Sequence, residues 1–315
     1  MHTKRSAVEV LYSLEELVQD IPSVITIGVF DGVHIGHQAI MRIVKADASE
    51  LGARSVAVTF RYNPEEVLHP GSKIRYISTL RQKLELIAEQ GMDLTLVLPV
   101  ERWLLDMSAE KFTTDILCKK LSAVQVVVGK NFFFGKNRSG NVELLRRMGE
   151  ELGFDVVVVS PIRLDNLLVS STSIRNLLSA GKVEKANVLL GHPFVLEGKV
   201  VAGKGIGRSL GFPTANIELI EKQIIPARGV YAVSVNLGNK VYKGVLNIGI
   251  CPTIASDVCC ESIELHLLEF EGDIYGEQLE VAFHHRLRDE VCFQDLDSLK
   301  QQIAMDVEKT RRLFE

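Results

Sequence analysis

The sequence predicts an α/β domain with a doubly wound parallel sheet, followed by a small antiparallel β-barrel closed by one C-terminal helix. Three observations predict it. Through the first 190 or so residues, short apolar runs alternate with segments of helical period. After His192-Pro193 the runs become strand-like and are parted by Gly, Asn and Asp turns. Only the final 20 or so residues return to helical period. A length of 315 residues fits two domains at roughly 100–200 residues each.

The elements follow in order. VITIGVF (24–30) is the first strand, a Gly/His turn follows, and a helix runs from about Gly36 to Leu51. SVAVTF (55–60), DLTLVLP (93–99), VQVVVG (124–129) and DVVVVS (155–160) are further strands, separated by helices near 79–90, 108–120 and 141–152. Buried parallel strands read as continuous Val/Ile/Leu runs of this kind, and their alternation with helices predicts a doubly wound sheet. Helical segments at 172–180 and 183–190 complete this half, and the boundary is placed between 186 and 187, giving domains 1–186 and 187–315. Beyond it FVLEGKVV, GVYAVSVNLG, KVYKGVLNIG, SIELHLLEF and QLEVAFHHRL read as strands, with NLGNK (236–240) a hairpin connection.

Composition narrows the function classes. Apolar residues make up 46% and charged residues 24%, which is ordinary globular usage. No stretch approaches the roughly 18 uninterrupted apolar residues of a membrane helix. The N-terminus lacks the apolar core of a signal peptide, so a cytoplasmic protein without a membrane partner is expected. Five cysteines, Cys118, Cys251, Cys259, Cys260 and Cys292, are odd in number and irregularly spaced, which fits reduced thiols rather than a disulfide framework. The first 190 residues carry 23 Lys+Arg against 22 Asp+Glu, and the rest 13 against 18, so neither half has the basic excess of a nucleic-acid binder.

The strongest local signal is Gly28-Val29-Phe30-Asp31-Gly32-Val33-His34-Ile35-Gly36-His37-Gln38, at the end of the first strand and the start of the first helix. Ligands of open α/β sheets bind there, and a helix N-terminus favours phosphate. Glycines at 28, 32 and 36 let a ligand approach the backbone. His34 and His37 are three apart, so both can face one ligand and donate hydrogen bonds to phosphate oxygens. Neither a Walker loop nor a dinucleotide G-x-G-x-x-G is present. Later come Ser170-Ser171-Thr172-Ser173-Ile174-Arg175 and the loop VGKNFFFGKNRSGN (128–141). For the serine-rich stretch a plain N-cap competes with phosphate binding. For Phe132–Phe134 core packing competes with an aromatic wall.

In the second half a loop with Gly203, Gly205, Gly207 and Gly211 precedes Pro213-Thr214-Ala215-Asn216. Thr214 and Asn216 are two apart on a predicted strand, which puts both oxygens on one side. Hard oxygens shared with phosphates suit Mg²⁺. On SIELHLLEF, Ile263, Leu265 and Leu267 share one face, and Glu264 and His266 the other.

These motifs resemble, in order, those of the bacterial bifunctional riboflavin kinase/FMN adenylyltransferase (FAD synthetase) family, over about residues 22–312. "HIGH" (34–37) is similar to the H-x-G-H of nucleotidylyltransferases, and no KMSKS-like loop of a synthetase accompanies it. GFPTAN, PARGVY (226–231), Asn247-Ile248-Gly249-Ile250-Cys251-Pro252-Thr253, IELH and LRDE match the kinase half. The resemblance implies a Rossmann-like nucleotidylyltransferase domain and a riboflavin kinase-like barrel. It implies that ATP, riboflavin and FMN are substrates, that FMN and FAD are products, and that Mg²⁺ is held near Thr214 and Asn216. It assigns His34, His37 and Arg175 to the ATP phosphates, with Gly28, Phe30, Asp31, Gly36, Ser170, Ser171 and Thr172 beside them. Asn131, Phe132 and Phe134 fall on the flavin side, and Glu264 becomes the general base. Gly203, Gly205, Gly207, Gly211, Pro213 and Asn247 fall in the kinase site. Arg288 is read either as a phosphate or flavin ligand or as a salt bridge. A monomer or weak homo-oligomer is expected. Asn63, Phe133 and Cys251 depart from the family pattern. Two alternatives stand beside this reading, an enzyme with only the adenylyl step active and a flavin-binding regulator.

Overall fold

A computed structural model describes residues 8–315 except 19, 70, 73, 203–206, 208–210, 239, 252–259 and 292. It divides into two compact units, residues 1–74 with 80–170, and residues 75–79 with 171–315. The expected boundary at 186/187 therefore differs from the division in space. Two short helices, Ser171–Ser179 (α7) and Val183–Leu190 (α8), belong to the second unit.

The first unit is built on six strands: β1 (Glu9–Leu11), β2 (Ser23–Ile27), β3 (Arg54–Phe60), β4 (Leu94–Leu98), β5 (Ala123–Gly129) and β6 (Asp155–Val159). Their order is β1-β4-β3-β2-β5-β6 and every pairing is parallel. Successive residues serve opposite faces. Ile25, Ile27, Val56, Val58, Val126 and Val128 enter one buried cluster, and Val24, Ala57 and Val127 the other. The helices α1 (Ile35–Leu51), α2 (Pro64–Leu68), α3 (Leu80–Glu89), α4 (Arg102–Leu105), α5 (Ala109–Lys111) and α6 (Val142–Leu152) lie in the connections. Met41 and Val44 of α1 and Ile87 of α3 fill the second cluster; Leu145 and Met148 of α6 fill the first. Burial on both faces is why these strands read as unbroken apolar runs.

Besides the short helices α2 and α4, three further features escaped the sequence reading. β1 is only three residues long and extends the sheet beyond β4. The helix expected at 108–120 is a turn of α-helix followed by a π-helix over Phe112–Lys120. A two-residue-per-strand hairpin, β7 (Arg163–Leu164) and β8 (Leu167–Leu168), precedes α7.

The second unit is a closed barrel in the order β10-β13-β12-β11-β14-β9. The strands are β9 (Phe194–Val201), β10 (Ala215–Leu219), β11 (Gly229–Leu237), β12 (Lys240–Cys251), β13 (Cys260–Leu267) and β14 (Gln278–Arg288). All neighbours are antiparallel. Gly238, with φ 60°, lies in the hairpin connection expected between β11 and β12. Tyr231, Leu246, Ile248, Leu265 and Phe283 are buried. A C-terminal helix, Leu296–Leu313, packs Ile303 and Val307 against Val230, Val245 and Leu287. Residues 75–79 join this unit: Tyr76 bridges to Gln223, and the Gln223 amide donates to the Ile77 carbonyl at 3.2 Å. Thr79 Oγ1 donates to the buried Glu197 carboxylate at 2.8 Å.

Candidate active sites

In the first unit the sheet order reverses at β2, with β3 on one side and β5 on the other. The loops after β2 and β5 therefore flank the crevice where such sheets bind ligands. Past Gly28 the chain turns through Phe30 (φ 51°), Gly32 (φ 75°) and Val33 (φ 36°). Left-handed Phe and β-branched Val are costly and persist only where surroundings hold them. Thr59 Oγ1 and Lys83 Nζ both donate to the Val29 carbonyl, at 3.2 and 3.3 Å. Lys83 also donates to the Phe60 carbonyl at 2.6 Å, and Gln38 Nε2 to the Val33 carbonyl at 2.9 Å.

This strained loop delivers two histidines. His34 caps α1, its Nδ1 accepting the His37 backbone N–H at 3.3 Å. Nδ1 being the acceptor, the proton of the neutral ring sits on Nε2. The His34 and His37 rings stack with centroids 3.6 Å apart and planes at 17°. Phe30 meets His37 edge-on at 5.1 Å. Two glycines relieve this packing. A Cβ at Gly28 would stand 2.8 Å from the Phe30 ring, and one at Gly36 3.1 Å from His34. Asp31 is buried in the same loop.

Burial pushes the His34 imidazole down to about 4. His37 is likewise held well below its ordinary value, by burial first and then by the neighbouring His34 and Lys83 charges. Both rings are thus neutral near pH 7, and each offers an N–H rather than a full charge. His37 Nδ1 is buried without a hydrogen-bond partner among the described residues. An orphaned buried nitrogen marks a place where a polar ligand fits.

The loop after β5 carries Asn131, which is exposed. Phe132 and Phe134 stack on each other at 5.2 Å and pack against the core beside Phe112. Phe133 points outward, 49% exposed, with the Arg138 guanidinium 5.0 Å over its ring. Asn63, the other departure in this half, caps α2 by accepting the Glu65 N–H at 3.1 Å. Ser170 ends the first unit; Ser171, Thr172 and Arg175 begin α7 in the second, where Arg175 Nε donates to the Arg75 carbonyl at 2.9 Å.

The second site forms on the outside of the barrel. Asn216 pairs in register with Glu264, Glu264 with Asn247, Asn247 with Val230, and Val230 with Arg288. Directly opposed residues share a face, so one row crosses five strands. The alternate residues Ile263, Leu265, Leu246 and Ile248 fill the barrel instead. Over the row lies a cavity of about 480 Å³, a size suited to a small molecule. Glu264, His266, Asn247, Thr214, Arg288 and Glu290 line it, with Leu299, Ile303 and Asp306 of the C-terminal helix opposite. His266 Nδ1 lies 2.9 Å from the Pro213 carbonyl, which ties the Pro-Thr-Ala-Asn segment to β13. Thr214 immediately precedes β10 rather than standing on it. The Phe212 N–H donates to the Gly207 carbonyl at 2.9 Å. A Cβ on Gly207 would meet that region's Phe212 oxygen at 2.4 Å.

Arg288 forms a two-pronged ion pair with Asp306, Nη2 lying 2.8 Å from Oδ2, which is the salt-bridge reading, and it also lines the cavity. Gly203, Gly205, Cys259 and Cys292 lie outside the described residues, as do the side chains of Cys251 and Cys260. Cys118 is a free thiol, which burial raises. Among the described residues no group of three or more His, Cys, Asp or Glu could hold a metal, and no helix is long and apolar enough to cross a membrane.

Two charged residues were missed. Lys83 sits three residues after Leu80 and four before Ile87, on the apolar stripe of α3. Asp306 sits three after Ile303 on the stripe of the C-terminal helix. A charge at a core-facing position was the available signal.

Comparison with known proteins agrees with this division. The FAD synthetase family model matches residues 17–173 and the riboflavin kinase model residues 190–314. The chain is 41% identical over 290 residues to a bifunctional riboflavin kinase/FMN adenylyltransferase of Pseudomonas fluorescens, covering 92% of each. It is 38% identical over 292 residues to the Escherichia coli K12 protein of that description, again covering 92% of each. A crystal structure titled as a macrolide-efflux protein of Streptococcus pneumoniae shares the fold with a TM-score of 0.87 and 28% identity, over 97% of this chain and 99% of that one. With a nucleotide turn at the sheet's switch point and a carboxylate-bearing row on the barrel, this chain belongs to the bifunctional riboflavin kinase/FMN adenylyltransferase family.

Proposed function

We propose that the chain makes FMN from riboflavin and ATP in its barrel, and FAD from FMN and ATP in its parallel-sheet unit. We assign the second reaction to domain 1–186 and the first to domain 187–315. The observation that carries the reading is the row Asn216–Glu264–Asn247, three polar residues in register, of which Glu264 and Asn247 line a cavity of about 480 Å³.

In the kinase step the primary hydroxyl of riboflavin attacks the γ-phosphorus of ATP. The O–P bond forms as the bridging bond to ADP breaks, and the hydroxyl proton passes to Glu264. Such a base contributes about 10²–10⁴-fold. The side-chain oxygens of Thr214 and Asn216 are hard ligands beside that carboxylate and fit Mg²⁺, which supplies charge neutralisation to the phosphates when bound. Asn247, Pro213 and the glycines 203, 205, 207 and 211 surround the nucleotide and flavin. In the adenylyl step a phosphate oxygen of FMN attacks the α-phosphorus of ATP and pyrophosphate leaves. His34 and His37 donate N–H groups to the triphosphate, and Gly28, Phe30, Asp31 and Gly36 shape its seat. Ser170, Ser171, Thr172 and Arg175 serve the same phosphates. Asn131, Phe132 and Phe134 serve the flavin side. We place the enzyme in the cytoplasm, as a monomer or weak homo-oligomer without nucleic-acid or membrane partners.

ADP is released only by the first reaction and pyrophosphate only by the second, so one full-length enzyme reports both. Flavin-free protein with Mg-ATP and riboflavin is expected to release ADP, then pyrophosphate. Pyrophosphate from FMN without ADP from riboflavin would leave the barrel silent. Flavin binding with neither product would make the chain a binding protein.

A further inference from the structure

The kinase cavity holds a buried carboxylate that phosphate transfer does not use. Asp306 is 4% exposed. Arg288 Nε lies 3.1 and 3.0 Å from its two oxygens, and Nη2 lies 2.8 Å from Oδ2. Gln302 Nε2 donates to Oδ1 at 3.0 Å, and Arg288 Nη1 to the Asp289 carbonyl at 3.0 Å. Arg288 is the only Arg or Lys among the described residues lining the cavity, whereas Glu264, Glu290 and Asp295 line it as well. Among the described lining residues the one guanidinium is thus neutralised where it stands, and the carboxylates of Glu264, Glu290 and Asp295 are the other Asp and Glu side chains there.

That charge pattern bears on the two flavins the site meets. Riboflavin is uncharged. FMN carries close to two negative charges at neutral pH, as a phosphate monoester does. An unengaged guanidinium is a planar fork for phosphate, and one already closed on a carboxylate is not.

We propose that Asp306 is a positioning and specificity residue of the kinase site: by holding Arg288 in a closed pair, it keeps the cavity selective for uncharged flavin and speeds departure of the phosphorylated product. The proposal rests on the reading that riboflavin is phosphorylated in this cavity. Releasing one positive charge into a partly screened cavity strengthens binding of a phosphate dianion by roughly tenfold.

The test is Asp306→Asn in the full chain, with ADP release counting kinase turnovers while FMN is added as inhibitor. The FMN inhibition constant is expected to fall about tenfold, with the riboflavin KM within about threefold of wild type. A measurable riboflavin KM reports an intact barrel, and pyrophosphate release from FMN and ATP is expected to be unchanged because that step belongs to the other unit. Asp306→Glu, which keeps the charge, is expected to retain wild-type inhibition. An unchanged or higher FMN inhibition constant in Asp306→Asn, with ADP release retained, overturns the proposal. If that variant loses ADP release, the wild-type enzyme decides. Its inhibition by FMN should strengthen as ionic strength rises from about 0.02 to 0.2 M, because screening relieves repulsion; weakening overturns the proposal. Glu264→Gln with undiminished ADP release would instead sink the underlying site reading.

Discussion

His34 and His37 show how one environment sets both chemistry and stability. His34 is 6% exposed, and its imidazole is held down from 6.5 to about 4 by burial. Above pH 6.5 neither the folded nor the unfolded chain protonates it. Between 6.5 and about 4 only the unfolded chain takes up the proton, so stability falls as the pH drops, by up to about 3 kcal/mol. Urea unfolding at pH 7 and pH 4.5 is expected to show this loss in the wild type and less of it in His34→Gln. An equal loss in both would remove His34 from the account. An anionic triphosphate beside these rings favours their charged form, so ATP binding near pH 6 is expected to take up protons. Calorimetry in buffers of different ionisation enthalpy reads that uptake directly. In the barrel, Glu264→Gln is expected to reduce ADP release from riboflavin by about 10²-fold or more while pyrophosphate release from FMN persists. Both histidines were legible in the sequence because such residues are unusual between a strand and a helix, whereas Glu264 stood out only through the order of the family motifs around it. Lys83 and Asp306 were not, because a single charge within an apolar stripe reads as surface until the stripe is known to be covered.

Elements place these residues through small steric facts. Gly36 lies in the first turn of α1, and a methyl there would stand 3.1 Å from the His34 ring. Gly36→Ala is expected to lower pyrophosphate release at least tenfold, through the displaced imidazole, with ADP release unaffected; equal rates in both assays would show that the ring yields. Asn141 caps α6 by accepting the Leu144 N–H at 2.9 Å. Asn141→Ala should cost about 1 kcal/mol in thermal unfolding and leave both activities in place. The long buried strands were readable as unbroken apolar runs and the amphipathic helices from their period, and their limits shift by only a few residues. What escaped was short or locally irregular. Three residues of β1 carry too little pattern to register, and the π-helix shares the apolar spacing of an α-helix closely enough to pass for one. The row across the barrel was half legible. Alternation put Glu264 and His266 on one face, but only strand register could bring Asn216 and Asn247 into line with Glu264.

For the whole molecule, two reactions joined by a diffusible intermediate predict complementation. Glu264→Gln mixed with His37→Ala is expected to convert riboflavin to FAD after a lag, since each supplies the step the other lacks. No FAD from the mixture, with each variant retaining its own step, would mean that FMN does not pass freely between molecules. The change from buried parallel runs to turn-parted strands announced the two architectures, yet the boundary at 186/187 and the spatial division at 170/171 disagree. Helical period could not tell which body α7 and α8 would join. Nor could it show that Arg75–Thr79, lying in sequence between β3 and α3, would count with the barrel. That short excursion has a historical consequence. A gene broken once, before Ser171, yields a barrel lacking the segment that supplies a hydroxyl to Glu197 and a carbonyl to Gln223. Fission of this enzyme into two free-standing proteins thus demands a compensating change in the barrel as well as a new start codon, and the fused arrangement is correspondingly hard for evolution to undo.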